Sequence, residues 1–298
     1  MIEGEVFNEV KINNNVLHYF WLSTMNQPYK TLQVIRDRGV VWVTFEHGDI
    51  NLLDWLMIKE IDQLSHELTA EQTCNVVVFQ SNNPEFFIAH ADVDLIRTLD
   101  EASERPKALN LYVAALERLR RLPMASIGKI AGIARGGGSE FLLSLDMRFA
   151  AIGPTILSQP EVALGIFPTG SGSQRLPRLL GRARALEVAL GCEDFDAEQA
   201  ERYGYINRAV PEAALDDLVA SLAYRIASFP RHAIAATKRA MDFSDSNLTE
   251  GLLEEQHLFN QTRVLQESQR RMAKFLDEGA QTRVGELNLE KIIQKLGR

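Results

Sequence analysis

Hydrophobic residues in this chain recur at two different spacings, which alternate along the sequence up to about residue 211. Residues 40–45 and 76–79 are rich in β-branched and aromatic side chains, a composition that predicts strands. The second run contains no polar residue, as expected for a strand buried on both faces. Between the two runs, Asp54 is placed to cap a helix. The apolar positions of that helix fall at helical spacing, at Ile58, Ile61, Leu64 and Leu68.

The middle of the chain repeats this alternation. Apolar positions between residues 108 and 122 predict a second helix, which Pro123 ends. Residues 127–134 predict a strand, followed at once by three glycines and an apolar helix over residues 139–145. Two further short strands are predicted, at residues 149–152 and 206–210. Strands that alternate with helices indicate an α/β fold with largely parallel sheets.

The pattern differs at the two ends of the chain. Residues 1–30 have no steady period, and we interpret them as an N-terminal extension. Residues 31–211 form the predicted α/β core. After Pro211 the strand signals cease, and residues 212–298 predict a helical C-terminal region. Because a helical tail with apolar faces must bury them, this region predicts contact with a partner subunit.

Composition narrows the class of protein. The chain has 298 residues, of which 46% are hydrophobic and 24% charged, with a net charge of -8. That charge argues against nucleic acid as a partner, since nucleic-acid-binding domains carry a basic surplus. Two cysteines are too few for a disulfide framework, and the N-terminus shows no secretory signal. No apolar run reaches the ~18 residues of a membrane span, so we expect a cytoplasmic protein without a membrane partner.

A glycine-rich turn is the first candidate for chemistry. Gly136, Gly137 and Gly138 lie between a predicted strand and a predicted helix. Glycine permits positive φ and close approach of another molecule, and the free N–H groups of the helix start point at the loop. Such a turn suits an oxygen that carries negative charge. A tight turn whose glycines serve packing alone explains the same residues.

Two glutamates are the next candidates. Glu140 is expected in the first turn of the helix, before an apolar run, and Glu161 follows Pro160 in another apolar segment. A buried carboxylate needs partners or a purpose, although Glu140 is also explained as a charge that the helix dipole stabilises. Two carboxylates in one low-dielectric cleft titrate as a coupled pair. Such a pair can add or move a proton beside a carbonyl.

Other chemistries find little support in the sequence. The chain has no G-x-S-x-G elbow, no H-E-x-x-H, no Walker A loop and no G-x-G-x-x-G that opens a helix. The six histidines show no metal-ligand spacing, so no metal is expected. Residues 170–173, a Gly-Ser-Gly-Ser run, are interpreted as a flexible loop into a helix rather than a phosphate site.

Several blocks together resemble the crotonase (enoyl-CoA hydratase/isomerase) superfamily, from about residue 31 to at least 245. The strand, glycine loop and first glutamate resemble the family in IGKIAGIARGGGSEFLLSLDMRFAA, and the second glutamate in SQPEVALGIFPTGSGSQRLPRLLG. The blocks FFIAHADVDLI and YGYINRAVP resemble the family's A-G-A-D loop and the end of its core. The resemblance implies a spiral of ββα units, followed by a helical C-terminal oligomerisation region that forms a homotrimer or homohexamer.

The resemblance also implies a site and a reaction. Ala91 and Gly137 match the two N–H donors of an oxyanion hole, and Glu140 and Glu161 match the two glutamates of hydratases. Nearby residues are expected to contact the substrate: Ala89, His90, Asp92 and Gly136. The implied reaction adds water to a 2-enoyl-CoA, with coenzyme A as part of the substrate and no separate cofactor. Isomerase, hydrolase, decarboxylase and C–C lyase activities remain open within the fold, as does a catalytically idle scaffold or regulatory homologue.

Two positions depart from the family pattern. His90 stands where the motif has Gly; its imidazole either enters the cleft or points away from a glycine-like backbone position of positive φ. We expect the second, because two glutamates account for both proton transfers. Asp94 stands where many hydratases carry a Lys near the CoA phosphates. Lys129, Arg97 and Arg135 are the cations that could replace it.

Overall fold

The computed structural model describes residues 29–97, 108–242, 265–279 and 295–296. Of the predicted N-terminal extension, residues 1–28 lie outside this part of the chain. So do residues 243–264, most of residues 280–298 and the side chain of Arg97, all of which figure in the sequence-based predictions.

Ten strands and ten α-helices are described, numbered here in chain order. The strands are β1 (Leu32–Asp37), β2 (Val40–Phe45), β3 (Val76–Ser81), β4 (Phe86–Ile88), β5 (Ala125–Ile130), β6 (Ile133–Arg135), β7 (Met147–Ile152), β8 (Ile156–Ser158), β9 (Phe195–Asp196) and β10 (Arg208–Pro211). The helices are α1 (Trp55–Ala70), α2 (Val93–Arg97), α3 (Leu111–Arg120), α4 (Gly137–Leu143), α5 (Gly172–Leu180), α6 (Arg182–Gly191), α7 (Ala197–Tyr203), α8 (Glu212–Ala227), α9 (Arg231–Asp242) and α10 (Gln266–Asp277). A short 3₁₀ helix spans Glu161–Leu164.

The strands form two sheets that the chain visits in turn. The larger sheet has the order β1-β2-β3-β5-β7-β10 and is parallel apart from the β1–β2 hairpin. The smaller sheet has the order β4-β6-β8-β9, in which β4, β6 and β8 are parallel. In three successive turns, one strand joins the larger sheet and the next joins the smaller sheet before a helix follows: β3 and β4, β5 and β6, and β7 and β8. This repeat confirms the predicted α/β spiral of ββα units.

Two hydrophobic clusters lie on opposite faces of the larger sheet. Val77 and Phe79 on β3 face the cluster shared with the smaller sheet and α1, whereas Val76 and Val78 face the cluster under α8. Alternate side chains of a strand point to opposite faces, so residues 76–79 are apolar throughout because both faces are covered. Four phenylalanine rings pack edge to face or stacked at the centre of the first cluster: Phe45, Phe79, Phe87 and Phe141.

The predicted strand over residues 127–134 is wrong as a single element. It is divided between β5 and β6, which belong to different sheets. Gly132 lies at the division, where an added Cβ would come within 2.8 Å of the Glu85 carbonyl oxygen. The run is apolar on both sides of this bend, so hydrophobic spacing could not reveal it.

Other boundaries shift by a few residues. The helix predicted at 139–145 is α4, which begins at Gly137, and the strand predicted at 206–210 is β10. Asp54 caps α1 as predicted, since its carboxylate accepts from the Met57 N–H at 2.9 Å.

Beyond β10 the described part of the chain is helical, as predicted. Helix α8 packs Leu215, Val219 and Ala223 onto the larger sheet, whereas α9 has no buried residue. Lys238 on α9 contacts the core through the Met124 carbonyl and the Asp146 carboxylate. Across the described residues, no helix combines the length and the apolar character that a membrane crossing requires.

Candidate active site

The three candidate stretches meet at one edge of the smaller sheet. The loop of Ala91 follows β4, the glycine turn follows β6, and Glu161 follows β8. Because these strands are neighbours and run parallel, their carboxyl ends lie side by side, which is where ligands bind in parallel sheets. Each of these strands is only three residues long, so the three loops begin close to one another at this edge.

Two positions of the glycine turn require glycine for different reasons. Gly136 adopts φ +48, and a Cβ on it would lie 3.0 Å from a Glu161 carboxylate oxygen. A Cβ on Gly138 would overlap the Ile88 carbonyl oxygen, so this glycine lets α4 lie directly against β4. Packing therefore explains Gly138, and a strained turn beside Glu161 explains Gly136.

Ala91 and Gly137 lie against each other at this edge, since a Cβ on Gly137 would come within 3.1 Å of the Ala91 Cβ. Leu53 forms a parallel bridge to Ala91: its N–H donates to the His90 carbonyl, and its carbonyl accepts from Asp92, both at 3.0 Å. This pairing turns the N–H of Ala91 to the opposite side, where a Cβ on Gly137 would lie 3.5 Å from the Ala91 nitrogen. Among the residues that the structure describes, neither N–H has a hydrogen-bond acceptor. Two such donors suit a developing oxyanion.

His90 does not occupy the expected glycine-like position. Its φ is not positive, so the prediction of a left-handed backbone there is wrong. The half-buried ring places Nδ1 2.9 Å from the Ala91 carbonyl oxygen. Since a carbonyl oxygen only accepts, Nδ1 carries the hydrogen in this contact, and the imidazole is bound to its own loop.

Glu140 lies in the first turn of α4 and is only 4% exposed. Its carboxylate accepts from the Gly172 N–H at 2.8 Å. A Cβ on Gly170 or on Gly172 would collide with this carboxylate, so the Gly-Ser-Gly-Ser run is what allows the start of α5 to approach Glu140. Burial raises the pKa of Glu140 to about 7, against the effect of the Gly172 N–H and with a further rise from the charge of Glu161.

Glu161 opens the 3₁₀ helix after β8 and is 9% exposed. Burial raises its pKa above the ordinary value. The amide of Gln159 lies beside it, and the amide nitrogen is 3.1 Å from both carboxylate oxygens when the amide oxygen faces Ser139 and Tyr205. The opposite orientation would set the amide oxygen against the carboxylate, so the hydrogen-bond network selects the first.

The two carboxylates lie near each other, because the elements that carry them follow the neighbouring strands β6 and β8. Glu161 contacts the turn that contains Gly136, and its charge is close enough to raise the pKa of Glu140. A buried, electrostatically coupled pair with one pKa near neutrality can hold and transfer one proton at physiological pH. Such a site is suited to acid–base chemistry beside an oxyanion.

The remaining predicted contact residues lie in the loop after β4. Ala89 is buried and donates its N–H to the Ile50 carbonyl at 3.2 Å. Asp92 accepts from the Asp94 N–H at 2.9 Å, which caps the start of α2. Both residues thus hold the shape of the loop around Ala91.

Two of the three cations considered for the CoA phosphates, Lys129 and Arg135, are engaged elsewhere. Arg135 forms a two-point ion pair with Asp194, at 2.8 and 2.6 Å, and Lys129 lies 2.5 Å from Asp216. A phosphate would have to compete with these carboxylates for either side chain.

Tyr112 is a site residue that the sequence did not reveal. Its hydroxyl donates to the Gly137 carbonyl at 2.7 Å, and its ring approaches Gly170. Burial and the nearby Glu140 carboxylate raise its pKa well above the ordinary value, which keeps the hydroxyl protonated as a donor. Sequence spacing marked Tyr112 only as an apolar position of α3.

Comparison with known proteins adds an independent observation. The sequence matches the enoyl-CoA hydratase/isomerase family over residues 36–282. It is 32% identical over 232 residues to a protein of Mycobacterium leprae named probable enoyl-CoA hydratase, covering 78% of this chain and 88% of that relative. A relative of the same description from Rhizobium meliloti is 30% identical over 251 residues, or 83% of this chain and 95% of the relative.

Solved structures show the same likeness in three dimensions. The crystal structure of an enoyl-CoA hydratase from Bacillus anthracis matches with a TM-score of 0.77 at 27% identity, over 84% of this chain and 97% of that one. The structure of DspI from Pseudomonas aeruginosa matches with a TM-score of 0.78, also at 27% identity, over 86% and 97% of the two chains. Sequence and fold thus agree with the resemblance on which the candidate site was predicted.

Proposed function

This chain belongs to the enoyl-CoA hydratase/isomerase family of enzymes, and from that premise we propose that it adds water across the double bond of a 2-enoyl-CoA thioester. The observation that carries the proposal is the buried pair of Glu140 and Glu161 beside the N–H groups of Ala91 and Gly137. The product is a 3-hydroxyacyl-CoA.

In the proposed reaction the N–H groups of Ala91 and Gly137 bind the thioester oxygen. Addition of water to C3 moves charge onto that oxygen, and both donors then stabilise the enolate-like intermediate. The positive end of α4 acts in the same direction. One donor of this kind is worth ~10²–10³ in rate, so the two together are a major part of the proposed catalysis.

The proposed proton transfers use both glutamates. A water molecule held between them loses a proton to one carboxylate as its oxygen bonds to C3, while a proton from the other carboxyl group reaches C2. One hydroxyl and one hydrogen are thereby added to the substrate, and nothing leaves. Double-bond isomerisation needs only one such group, so the pair favours hydration.

Two alternatives stand beside hydration. Another reaction of the fold, such as isomerisation, thioester hydrolysis, decarboxylation or C–C cleavage, would use the same oxyanion donors. A catalytically idle scaffold or regulatory homologue is favoured by one observation, namely that Arg135 and Lys129 are paired with carboxylates rather than open to a CoA phosphate. Against an idle role, an apolar setting without catalytic duty has little reason to keep two carboxylates.

We further propose a homotrimer or homohexamer of this enzyme in the cytoplasm. The support is α9, which has no buried residue, and Met241 at its end, which is 68% exposed. Light scattering on the intact chain at micromolar concentration should give three subunits or a multiple of three. A stable monomer would contradict this assembly.

The proposed activity is tested with a panel of 2-enoyl-CoA esters of increasing acyl length. Hydration removes the conjugated double bond, so absorbance of the enoyl thioester should fall, and mass spectrometry should show a product heavier by one water. Glu140→Gln is the matched control for background hydration. A chain that turns over no ester of the panel is not a hydratase, and the idle homologue becomes the better account.

A further inference from the structure

Ser171 has a strained backbone next to the contact between α5 and Glu140. Its φ is +94, in the left-handed region that favours glycine, although it is a serine between two glycines. Ser171 is the N-cap of α5, and its carbonyl accepts from the Gln174 and Arg175 N–H groups at 3.0 and 2.9 Å. The N–H of the next residue, Gly172, donates to Glu140. Strain at such a point indicates that a neighbouring group holds the residue in place for a function.

The side chain that holds Ser171 comes from one turn further along α5. Arg175 Nε donates to Ser171 Oγ at 2.7 Å, and Arg175 Nη2 donates to the Glu117 carboxylate on α3 at 3.0 Å. The Ser171 side chain does not cap its own helix, so its hydroxyl is used for the contact with Arg175. Because a guanidinium group is a rigid fork, these two bonds fix Ser171 relative to α3.

Glu117 gives Arg175 a fixed point of attachment. Its carboxylate also accepts from Arg120 Nη2 at 2.8 Å and from Arg121 Nε at 2.7 Å. Burial would raise the pKa of Glu117, but the hydrogen bonds from Arg120 and the charges of all three arginines lower it to about 2. The carboxylate is therefore charged throughout the physiological pH range. Arg120 also pairs with Asp242, which extends the network to α9.

The direction of the Gly172 N–H depends on the backbone of Ser171. A Cβ on Gly170 would lie 2.3 Å from one Glu140 carboxylate oxygen, and a Cβ on Gly172 would lie 2.9 Å from the other. The two glycines allow this close approach, but they have no side chain that could fix the turn. If Ser171 relaxed to a negative φ, the peptide unit that carries the Gly172 N–H would rotate away from Glu140.

We propose that Arg175 is a positioning residue that holds Ser171 in its left-handed conformation and so keeps the Gly172 N–H on the Glu140 carboxylate. Glu117 is the anchor of the arginine. The value of this contact to catalysis rests on the proposed function, whereas the positioning itself is carried by the contacts of the turn.

Several groups act on the ionisation of Glu140. Burial is the main cause of its raised pKa, the charge of Glu161 adds to the rise, and the Gly172 N–H and the charge of Arg175 oppose it. Burial raises the pKa of two nearby phenols and keeps both neutral: Tyr112 and Tyr205. Because Arg175 acts through its charge as well, the test must separate positioning from charge.

The test keeps the charge of Arg175 and removes its two-point contact. In Arg175→Lys, the ammonium group cannot reproduce the bonds of the guanidinium fork to both Ser171 and Glu117. Ser171→Ala leaves the arginine unchanged and removes only the hydroxyl. In protein labelled with ¹³C at glutamate side chains, the Glu140 signal is assigned by its loss in Glu140→Gln. Each variant should raise the pKa of Glu140 by at least about half a unit, or about threefold in its ionisation constant.

The second readout is hydrogen–deuterium exchange at the Gly172 amide, resolved to this residue by electron-transfer fragmentation. Loss of the bond to Glu140 should make this exchange at least about tenfold faster in both Arg175→Lys and Ser171→Ala. Far-ultraviolet circular dichroism verifies that the variants remain folded. If both folded variants kept the parent pKa of Glu140 and the parent exchange rate, the proposal would be overturned.

Ser171→Gly separates the route through Ser171 from every other effect of Arg175, because glycine adopts φ +94 without strain. In the Ser171→Gly background, Arg175→Lys should move the pKa of Glu140 by less than half of its shift in the parent. A full shift in this background would show that Arg175 acts on Glu140 by another route, and would overturn the proposal.

Arg118→Lys is the matched control, because Arg118 makes the same pair of contacts elsewhere on α3. Its Nε donates to Ser65 Oγ at 2.8 Å, and its Nη2 donates to Asp62. This variant should leave the pKa of Glu140 and the exchange of the Gly172 amide unchanged, and shifts as large as those of Arg175→Lys would contradict the proposal. Neither readout needs turnover, so the result is independent of whether the chain hydrates an enoyl thioester.

Discussion

The two sheets border buried regions of opposite character. Between the larger sheet and α8, the contacts are apolar, with Val76 and Val78 on the sheet facing Val219 and Ala223 on the helix. At the edge of the smaller sheet, the buried side chains include four polar ones: Ser139, Glu140, Gln159 and Glu161. The first region lowers the free energy of folding by removing apolar surface from water. In the second region, each buried polar group that lacks a hydrogen bond raises the free energy of folding. A cluster of buried polar residues therefore indicates a catalytic role rather than a structural one.

This contrast predicts a separation of effects, and the largest belongs to the polar region. Glu140→Gln and Glu161→Gln should each reduce the kcat of hydration at least about a hundredfold, because each removes one partner of the proton transfers. Glutamine keeps the shape of the side chain, so the circular dichroism spectrum should not change. Stopped-flow or steady-state assays on the best ester measure the loss. If either variant turned over the ester at nearly the parent rate, the proposed role of two carboxylates in the proton transfers would be wrong.

The apolar region between the larger sheet and α8 should show the reverse. Val219→Ala removes buried methyl groups between α8 and the larger sheet and should lower the free energy of unfolding by about 2 kcal/mol. Its kcat should remain within about twofold of the parent, since the site lies at the other sheet. Chemical denaturation and the ester assay test both parts on one preparation, and a large loss of kcat in the folded variant would show that the regions are coupled.

The raised pKa of Glu140 sharpens the comparison because it links the site to stability. With a pKa of about 7 in the folded state and about 4.5 when unfolded, the folded protein binds more protons between these values. The protonated Glu140 carboxyl group therefore contributes to the free energy of unfolding. This contribution is fully present below pH 4.5 and is lost as pH rises through 7. Glu140→Gln, which cannot ionise, should therefore exceed the parent in unfolding free energy by about 1–3 kcal/mol at pH 8.

The measurement for Glu140→Gln is denaturant unfolding at pH 5 and at pH 8. The difference between variant and parent should widen at the higher pH. Asp216→Asn serves as a matched control, because that carboxylate is 71% exposed and lies outside the site. A gap that is independent of pH would show that burial of Glu140 has no cost to the fold.

The smallest expected effect concerns His90. Its ring contacts the Ala91 carbonyl rather than a glutamate, and two carboxylates already account for both proton transfers. His90→Gly should stay folded and change kcat/KM by less than about tenfold, or ~1.4 kcal/mol of barrier. The pH–rate profiles of both proteins on one ester provide the measurement. Abolished turnover together with loss of a limb near neutral pH would place a histidine in the chemistry.

The long elements of the fold could be predicted from the sequence because each has a clear period. The strand Val40–Phe45 has its predicted bounds, and the predicted cap of α1 at Asp54 is confirmed. The smaller sheet was missed, since strands of two or three residues are shorter than any period. The apolar run over residues 127–134 hid the passage from one sheet to the other.

The candidate site shows the same limit. The residue types of Glu140 and Glu161 could be predicted as chemical candidates, but their meeting depends on β6 and β8 being parallel neighbours. The contact of Gln159 with Tyr205 joins residues 46 positions apart, and that of Ser139 with Tyr205 joins residues 66 apart. The spacing of residue types along the chain predicts local structure only. Contacts between residues this far apart in the sequence therefore cannot be predicted before the fold is known. The positive φ expected for His90 is wrong: the backbone of this loop pairs with Leu53 in a parallel bridge, and the Leu53 N–H bonds the His90 carbonyl.

Reaction of the best 2-enoyl-CoA ester in H₂¹⁸O, repeated in D₂O, tests the central claim most directly. If the polar edge of the smaller sheet adds water, mass spectrometry will find one ¹⁸O in the hydroxyl at C3 and one deuterium at C2. In the parent protein, both labels should be incorporated at the rate of turnover. In Glu140→Gln and in Glu161→Gln, both rates of incorporation should fall by the same factor. Deuterium at C2 without ¹⁸O at C3 would mean that the site moves protons but adds no water, and would contradict the account.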